Sequence, residues 1–296
     1  MKRLHKNSSV IFIITIHLWG VLIFLPTALL GWQTSQAQIN NAKKRAFNEG
    51  NNFIKLGRYI EAVAAYEKAA ALDSVWAKAY YGKGLALKNL RRYAEAVQAY
   101  QTAIRHDPVF VEAYLALGKL HSELEQYDQA FDVLKKAIVL HPDSYQAYYA
   151  LGLAYDKKSQ TLEAVTAFQR AWQINPKYFL AGYMHGQMLN QLGRYDEALE
   201  VVANALALKE NLHLGLTLRA EIYNAKNEPA AALQAAQAAL QAQANYAPAN
   251  FEAGRALKAL RRYNEASNYF LAAAKERSWQ QTAEYEIEEI KKLQPK

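Results

Sequence analysis

A long apolar segment without charged residues stands near the start of the chain. Residues 10–30 are 21 residues with no Asp, Glu, Lys or Arg, and three basic residues lie in the segment 1–9 that precedes them. A helix of this length rises about 30 Å, which matches the hydrocarbon core of a bilayer. The pattern predicts an N-terminal hydrophobic helix at 10–30 that anchors the chain in a membrane, followed by a linker at 31–42.

The residues on either side of this segment allow two outcomes. Ser35 and Ala37 have the small-x-small spacing of a signal-peptidase site, with cleavage before Gln38. Basic residues at 43–45 follow closely and oppose the orientation that the basic N-terminus favours. The sequence predicts a single-pass membrane protein and, as the alternative, a soluble exported (periplasmic) protein after cleavage near Ala37. Which side of the membrane the rest of the chain occupies stays open.

Small residues recur along the remaining chain every 34 positions. They form three columns: Ala62, Ala96, Ala130, Ala164, Ala198, Ala232 and Ala266; Ala69, Ala103, Ala137, Ala171, Ala205, Ala239 and Ala273; and Gly50, Gly84, Gly118, Gly152, Gly186, Ala220 and Gly254. Where two antiparallel helices cross closely, a side chain larger than methyl would push the backbones apart. The period therefore predicts an all-α array of seven two-helix hairpins.

Larger residues keep the same period. Four positions after the first alanine column lie side chains that are expected to fill the space between hairpins: Tyr66, Tyr100, Leu134, Phe168, Val202, Ala236 and Phe270. We refer to them as knobs. Tyrosines are predicted in the connection within a hairpin at 59, 93, 127, 195 and 263, and prolines end second helices at 108, 142 and 176. The predicted units within 43–280 are 43–76, 77–110, 111–144, 145–178, 179–212, 213–246 and 247–280.

Two parts of this array depart from the regular pattern. In the sixth unit the knob is Ala236, so we expect thinner packing and the least stable hairpin there. After the seventh unit, residues 281–296 are predicted to form a capping helix and tail. Tyr285, Ile287 and Ile290 are expected to cover the open end of the array, with charged residues facing water.

At this level of detail the chain resembles the tetratricopeptide repeat family. The fourth unit carries the resemblance best, with Tyr148, Leu151, Gly152 and Tyr155 in its first helix, Ala164 and Phe168 in its second, and Pro176 after them. The resemblance implies a right-handed superhelical α-solenoid whose concave face is lined by first helices. It also implies a protein-binding adaptor. Among membrane-anchored relatives it suggests an assembly or biogenesis factor in a plasma or thylakoid-type membrane, for photosynthetic complexes or pigment-synthesis enzymes.

The resemblance also indicates which residues line the concave groove. They are Phe47, Tyr81, Leu115, Tyr149, Tyr183 and Phe251, four positions after each unit start, with Lys88, Lys119, Asn190 and Arg255 in neighbouring columns. Such rings suit an extended peptide or an amphipathic helix as the partner segment. The alternative is that the aromatic residues only stabilise the hairpins. Because aromatic residues occupy the place of the first carboxylate-clamping lysine of some family members, a clamp for a chaperone C-terminus is not expected.

Composition argues against several other functions. The chain has no cysteine, and its seven histidines are scattered without helical i, i+4 pairing, so we predict no metal, no cofactor and no catalytic residue. Gly82-Lys83-Gly84 lies inside a helical repeat and is not a nucleotide loop. The net charge is +8, and without the three basic residues of the segment 1–9 it is +5, spread over the long array without a continuous basic stripe, so nucleic acid is not an expected partner. The sequence favours a non-catalytic scaffold of undefined oligomeric state.

Overall fold

A computed structural model describes residues 36–208 and 212–293. The predicted basic segment 1–9, the hydrophobic helix 10–30, residues 31–35 of the linker and residues 294–296 of the predicted tail lie outside these residues, whereas residues 36–42 of the predicted linker are helical. Among the helices that are described, none is both long enough and apolar enough to cross a bilayer. Membrane anchoring therefore stays a prediction.

The described residues form fifteen helices and no strand. In chain order the helices are α1 (36–55), α2 (Tyr59–Leu72), α3 (Ala77–Asn89), α4 (Tyr93–His106), α5 (Val111–Glu123), α6 (Tyr127–Leu140), α7 (Tyr145–Lys157), α8 (Thr161–Ile174), α9 (Phe179–Gln191), α10 (Tyr195–Leu206), α11 (Leu212–Ala225), α12 (Pro229–Ala242), α13 (Ala247–Ala259), α14 (Tyr263–Ala274) and α15 (Arg277–Leu293). They divide into two compact units, one ending at Ala116 and one beginning at Leu117. The all-α class and the consecutive hairpins agree with the sequence prediction, whereas the right-handed superhelix and the exact repeat bounds stay predictions.

Second helices begin at intervals of 34 residues, starting with Tyr59 and Tyr93. The repeated tyrosines are therefore the first residues of second helices, and the prediction that they lie in the connection is wrong by one position. The residue before each is the N-cap. At Arg92, Arg194 and Arg262 the guanidinium pairs through two hydrogen bonds of 2.5–2.7 Å with a glutamate three residues later. Each pair closes the first turn of its helix across the exposed surface.

The turn within each hairpin requires one residue with positive φ. Gly57 and Gly193 supply it at 70° and 72°, but Arg91 and Arg261 adopt 60° and 61° at the equivalent place. In the second hairpin the Arg91 amide donates to Lys88 O (2.9 Å) and the next amide donates to Leu87 O (2.9 Å). These paired bonds close the helix end, and only glycine adopts the left-handed conformation without steric cost.

The glycine column lies directly under the knobs. A Cβ built on Gly84 would lie 2.5 Å from the Tyr100 ring, and one built on Gly152 would lie 2.7 Å from the Phe168 ring. Both rings are fully buried. The small-residue columns therefore permit close approach of the two helices within a hairpin, as the sequence predicts.

In the sixth hairpin the same helix contact is formed by a different pair of residues. Here Ala220 replaces glycine and Ala236 replaces the large knob, and neither residue has exposed surface. Helices α11 and α12 are in extensive contact. The structure thus contradicts thinner packing, because the two alanines let the helices approach closely. Low stability of this hairpin stays a prediction.

Helix α15 covers the last hairpin. Ala283 and Ile290 are buried in the cluster that contains Phe251 and Phe270, and Ile287 packs against it. Tyr285 is 62% exposed, so its predicted part in the cap is wrong: it lies two positions before Ile287 and thus on another side of the helix. The helix also begins at Arg277, four residues before the predicted start.

Candidate functional site

Helices α9, α11, α13 and α15 form a layer in the compact unit that begins at Leu117. Helix α11 contacts both α9 and α13, and α13 contacts α15. Second helices α10, α12 and α14 lie between them and pack on the preceding and the following first helix. Because first helices approach one another directly, they lie on the inner side of this unit. We call the side of the first helices that faces away from the second helices the inner face.

In the compact unit that ends at Ala116, the predicted groove aromatics are packed within clusters of aromatic rings. The centroid of Phe47 lies 5.5 Å from that of Tyr66 and 4.9 Å from that of Trp76. Tyr81 repeats the arrangement, with centroids 5.9 Å from Tyr100 and 5.2 Å from Phe110. Each ring therefore joins the knob of its own hairpin to the ring that precedes the next first helix.

The same arrangement recurs in the second unit. Tyr149 lies 5.6 Å from Phe168 and 5.1 Å from Tyr178, measured between ring centroids. Phe251 is 8% exposed and packs against Phe270 and Trp279. These contacts favour a stabilising part for the aromatic column, and its part in binding stays a prediction.

Tyr81, Tyr149 and Tyr183 are partly buried on first helices. Burial raises the pKa of Tyr149 and of Tyr183 to about 12, with smaller contributions from Tyr178 and from Tyr246 and Glu221 respectively. Burial, and then the charge of Glu112, raises the pKa of Tyr81. The three phenols are therefore neutral hydrogen-bond donors at physiological pH. Leu115 is half-buried on α5.

The predicted polar groove residues differ in their surroundings. Lys119 is exposed and Lys88 is half-buried. Asn190 is only 9% exposed, and its Nδ2 donates to Glu221 Oε1 at 2.9 Å. Arg255 donates from Nη1 to both carboxylate oxygens of Glu252, at 3.3 and 3.1 Å. Asn190 and Arg255 thus already have partners on first helices, whereas Lys119 faces solvent.

These contacts belong to a ladder that runs from one first helix to the next. It continues with Asn224 Nδ2, which donates to Glu252 Oε2 at 2.7 Å, and with Lys258 Nζ, which donates to Glu286 Oε2 at 2.6 Å. Sequence reasoning placed Glu221 in a groove column but missed Glu252 and Glu286. The available signal was a donor followed 28 to 31 positions later by a glutamate, a separation that places the two on consecutive first helices or on α13 and the capping helix α15.

Two acidic groups on the inner face have no cationic hydrogen-bond partner among the described residues. Asp156 lies on α7 in the column of Asn190, and burial raises the pKa of its carboxyl. The pKa of Glu221 is raised by burial and by the charge of Glu252, against the smaller opposite effects of Arg255 and Asn190. Both groups are half-buried, so their negative charge is poorly solvated.

Comparison with known proteins agrees with this geometry. Residues 47–109 and 81–143 match the family model described as tetratricopeptide repeat, and residues 126–205 match the model described as anaphase-promoting complex, cyclosome, subunit 3. The tetratricopeptide repeat family is supported for this chain. No curated protein sequence matches the chain.

Solved structures share the fold. A tetratricopeptide repeat protein from Parabacteroides merdae superposes with a TM-score of 0.62 at 16% identity, over 84% of this chain and 99% of that chain. PilF of Pseudomonas aeruginosa gives a TM-score of 0.60 at 16% identity, over 70% of this chain and 94% of that chain. YrrB, described as having an unusual peptide-binding site, gives 0.53 at 24% identity, over 62% and 95%. At these identities the likeness shows the fold alone.

The described residues contain no group of three His, Cys, Asp or Glu side chains able to hold a metal ion. His185 is buried, and burial, with a smaller effect of Arg194, lowers the pKa of its imidazole to about 4. His106 packs against Tyr80 and His213 against Tyr246. These three histidines occupy helix contacts within the repeats.

Proposed function

We propose that the protein is a non-catalytic scaffold that binds an extended peptide or an amphipathic helix of a partner protein on its inner face. The observation that carries this proposal is the direct contact of α11 with α9 and with α13, which leaves a shared face of these first helices that the second helices do not cover. A preformed face of this kind presents rings and polar groups without the entropy cost of folding on binding. The tetratricopeptide repeat matches support the same class of function.

A matched pair of substitutions tests which face binds. Gln187 is half-buried on the inner face of α9, and Gln234 is exposed on the second helix α12. We expect Gln187→Arg to reduce the recovery of co-purifying partners by tenfold or more in quantitative affinity capture, because the longer charged side chain obstructs the face. Gln234→Arg should leave recovery unchanged. Equal recovery with both variants would contradict binding on the inner face.

We also propose that residues 10–30 tether this scaffold to a membrane and that it acts in the assembly or biogenesis of membrane complexes. The uncharged 21-residue segment supports the tether, and anchoring would raise the effective concentration of the scaffold at the bilayer. Photosynthetic complexes and pigment-synthesis enzymes are one class of client. Resistance of the protein to alkaline carbonate extraction is the expected result. A soluble protein that begins at Gln38 would favour the exported alternative.

A further inference from the structure

The inner face of the second unit carries acidic groups that its own cations do not pair with, since the exposed Lys119 on α5 forms no ion pair among the described residues. Among its ladder contacts, Lys258 pairs with Glu286 and Arg255 pairs with Glu252, so these four charges compensate one another. Asp156 has no such partner in the described part of the chain. The two ion pairs thus leave the acidic group on α7 uncompensated.

Glu221 has the same deficit. Its one hydrogen bond among the described side chains comes from the neutral amide of Asn190, and the hydrogen bonds of the nearby Arg255 go to Glu252 instead. The Oδ1 atom of Asn190 is buried beside this contact without a hydrogen-bond partner, although the residue is only 9% exposed. An unpaired acceptor at this depth costs free energy, so the group formed by Glu221 and Asn190 lacks a donor.

We propose that the inner face of α7, α9 and α11 binds a partner segment that contains lysine or arginine, whose cationic side chains pair with Asp156 and Glu221. This inference rests on the proposed scaffold function and names the chemistry of its partner. Charge complementarity selects the occupant: a basic side chain supplies both the positive charge and the missing donors, whereas an acidic segment would meet two half-buried carboxylates. The half-buried ring of Tyr183 on α9, close enough to Glu221 to feel its charge, provides apolar contact for the methylene stem of such a side chain.

The amide variants Asp156→Asn and Glu221→Gln separate binding from folding. Each replaces a poorly solvated charge by a neutral group of the same shape, so we expect both variants to unfold at the same urea concentration as the wild type or at a higher one. A carboxylate that only stabilised the fold would give the opposite result. Gain or retention of stability together with loss of binding is the signature of a functional acid.

The binding test uses an array of synthetic 15-residue peptides of equal apolar content and of net charge from −4 to +4, probed with the full chain in detergent. We expect the wild type to prefer the positively charged peptides and each amide variant to bind them about tenfold more weakly, the effect of one lost charge-assisted contact. The control variant Glu200→Gln, exposed on α10, should bind as the wild type does.

The other outcomes distinguish this inference from the function on which it rests. A preference for neutral or acidic peptides, or unchanged binding by both amide variants, would overturn the basic partner while the scaffold function stands. Binding to no peptide of the array would contradict both.

Discussion

The contact between the glycine column and the knobs predicts that Gly152→Ala destabilises the wild-type chain but stabilises a chain from which the Phe168 ring has been removed. In Gly152→Ala the new Cβ would lie 2.7 Å from two atoms of the Phe168 ring and 2.9 Å from a third, well inside ordinary contact. Phe168 has no exposed surface into which it could move. Overpacking of this kind costs about 1–3 kcal/mol, whereas alanine gains about 1 kcal/mol over glycine inside a helix. We expect a net destabilisation of up to about 2 kcal/mol.

Removal of the ring should reverse this result. Phe168→Ala alone is expected to cost about 3–5 kcal/mol. In that background Gly152→Ala meets no ring, so only the helix propensity remains and the substitution should stabilise the chain by about 1 kcal/mol. The sixth hairpin already combines the two alanines, as Ala220 and Ala236. Urea unfolding followed by circular dichroism measures all four free energies of unfolding. The same sign of the Gly152→Ala effect in both backgrounds would refute the reasoning.

Three further predictions concern the turns, a buried histidine and the cap. Arg91→Gly removes the steric cost of a positive φ and should raise the free energy of unfolding by about 0.5–1 kcal/mol. Gly193→Ala introduces that cost and should lower the free energy of unfolding by about 1 kcal/mol. Urea midpoints in the opposite order would contradict backbone strain at these turns. The pKa of His185 is about 4 in the folded chain and near 6.5 in the unfolded chain, so the unfolded chain binds more protons between these pH values. The free energy of unfolding should therefore fall by up to about 3 kcal/mol as the pH drops through that range. His185→Gln should remove this pH dependence, and a variant with the same pH profile as the wild type would contradict the prediction. Ile290→Ala should lower the free energy of unfolding by about 2–4 kcal/mol, and Tyr285→Ala by less than about 0.5 kcal/mol. Equal shifts of the thermal unfolding midpoint in the two variants would contradict the assignment of the cap contact to Ile290.

The features that the sequence predicts well are those that every repeat must satisfy in the same way. Gly152 and Phe168 lie 16 positions apart, as do their equivalents in other hairpins, because one contact between two helices fixes both residue sizes. A shared geometric requirement of this kind produces a period, and the period identifies the hairpins before any coordinates are known.

Features that differ from repeat to repeat leave no such period. Arg91 adopts the left-handed conformation that its residue type disfavours, because the hydrogen bonds of the turn determine the backbone there. The ladder keeps the period only in part. Its donors Asn190, Asn224 and Lys258 are 34 positions apart, but Glu221 lies three positions away from the column of Glu252 and Glu286, so the pairing as a whole leaves no regular period. Single side chains such as Tyr285 depend on the rotation of one helix against its neighbour, which periodicity does not determine.

Site-specific photo-crosslinking tests the central claim, binding on the first helices, most directly. A photoreactive residue is placed at Leu85 or Gln187 on first helices, and at Gln98 or Gln234 on second helices. The account predicts that the partner protein is covalently captured from the first-helix positions and not from the second-helix positions. Capture from Gln98 or Gln234 with none from Leu85 or Gln187 would contradict it.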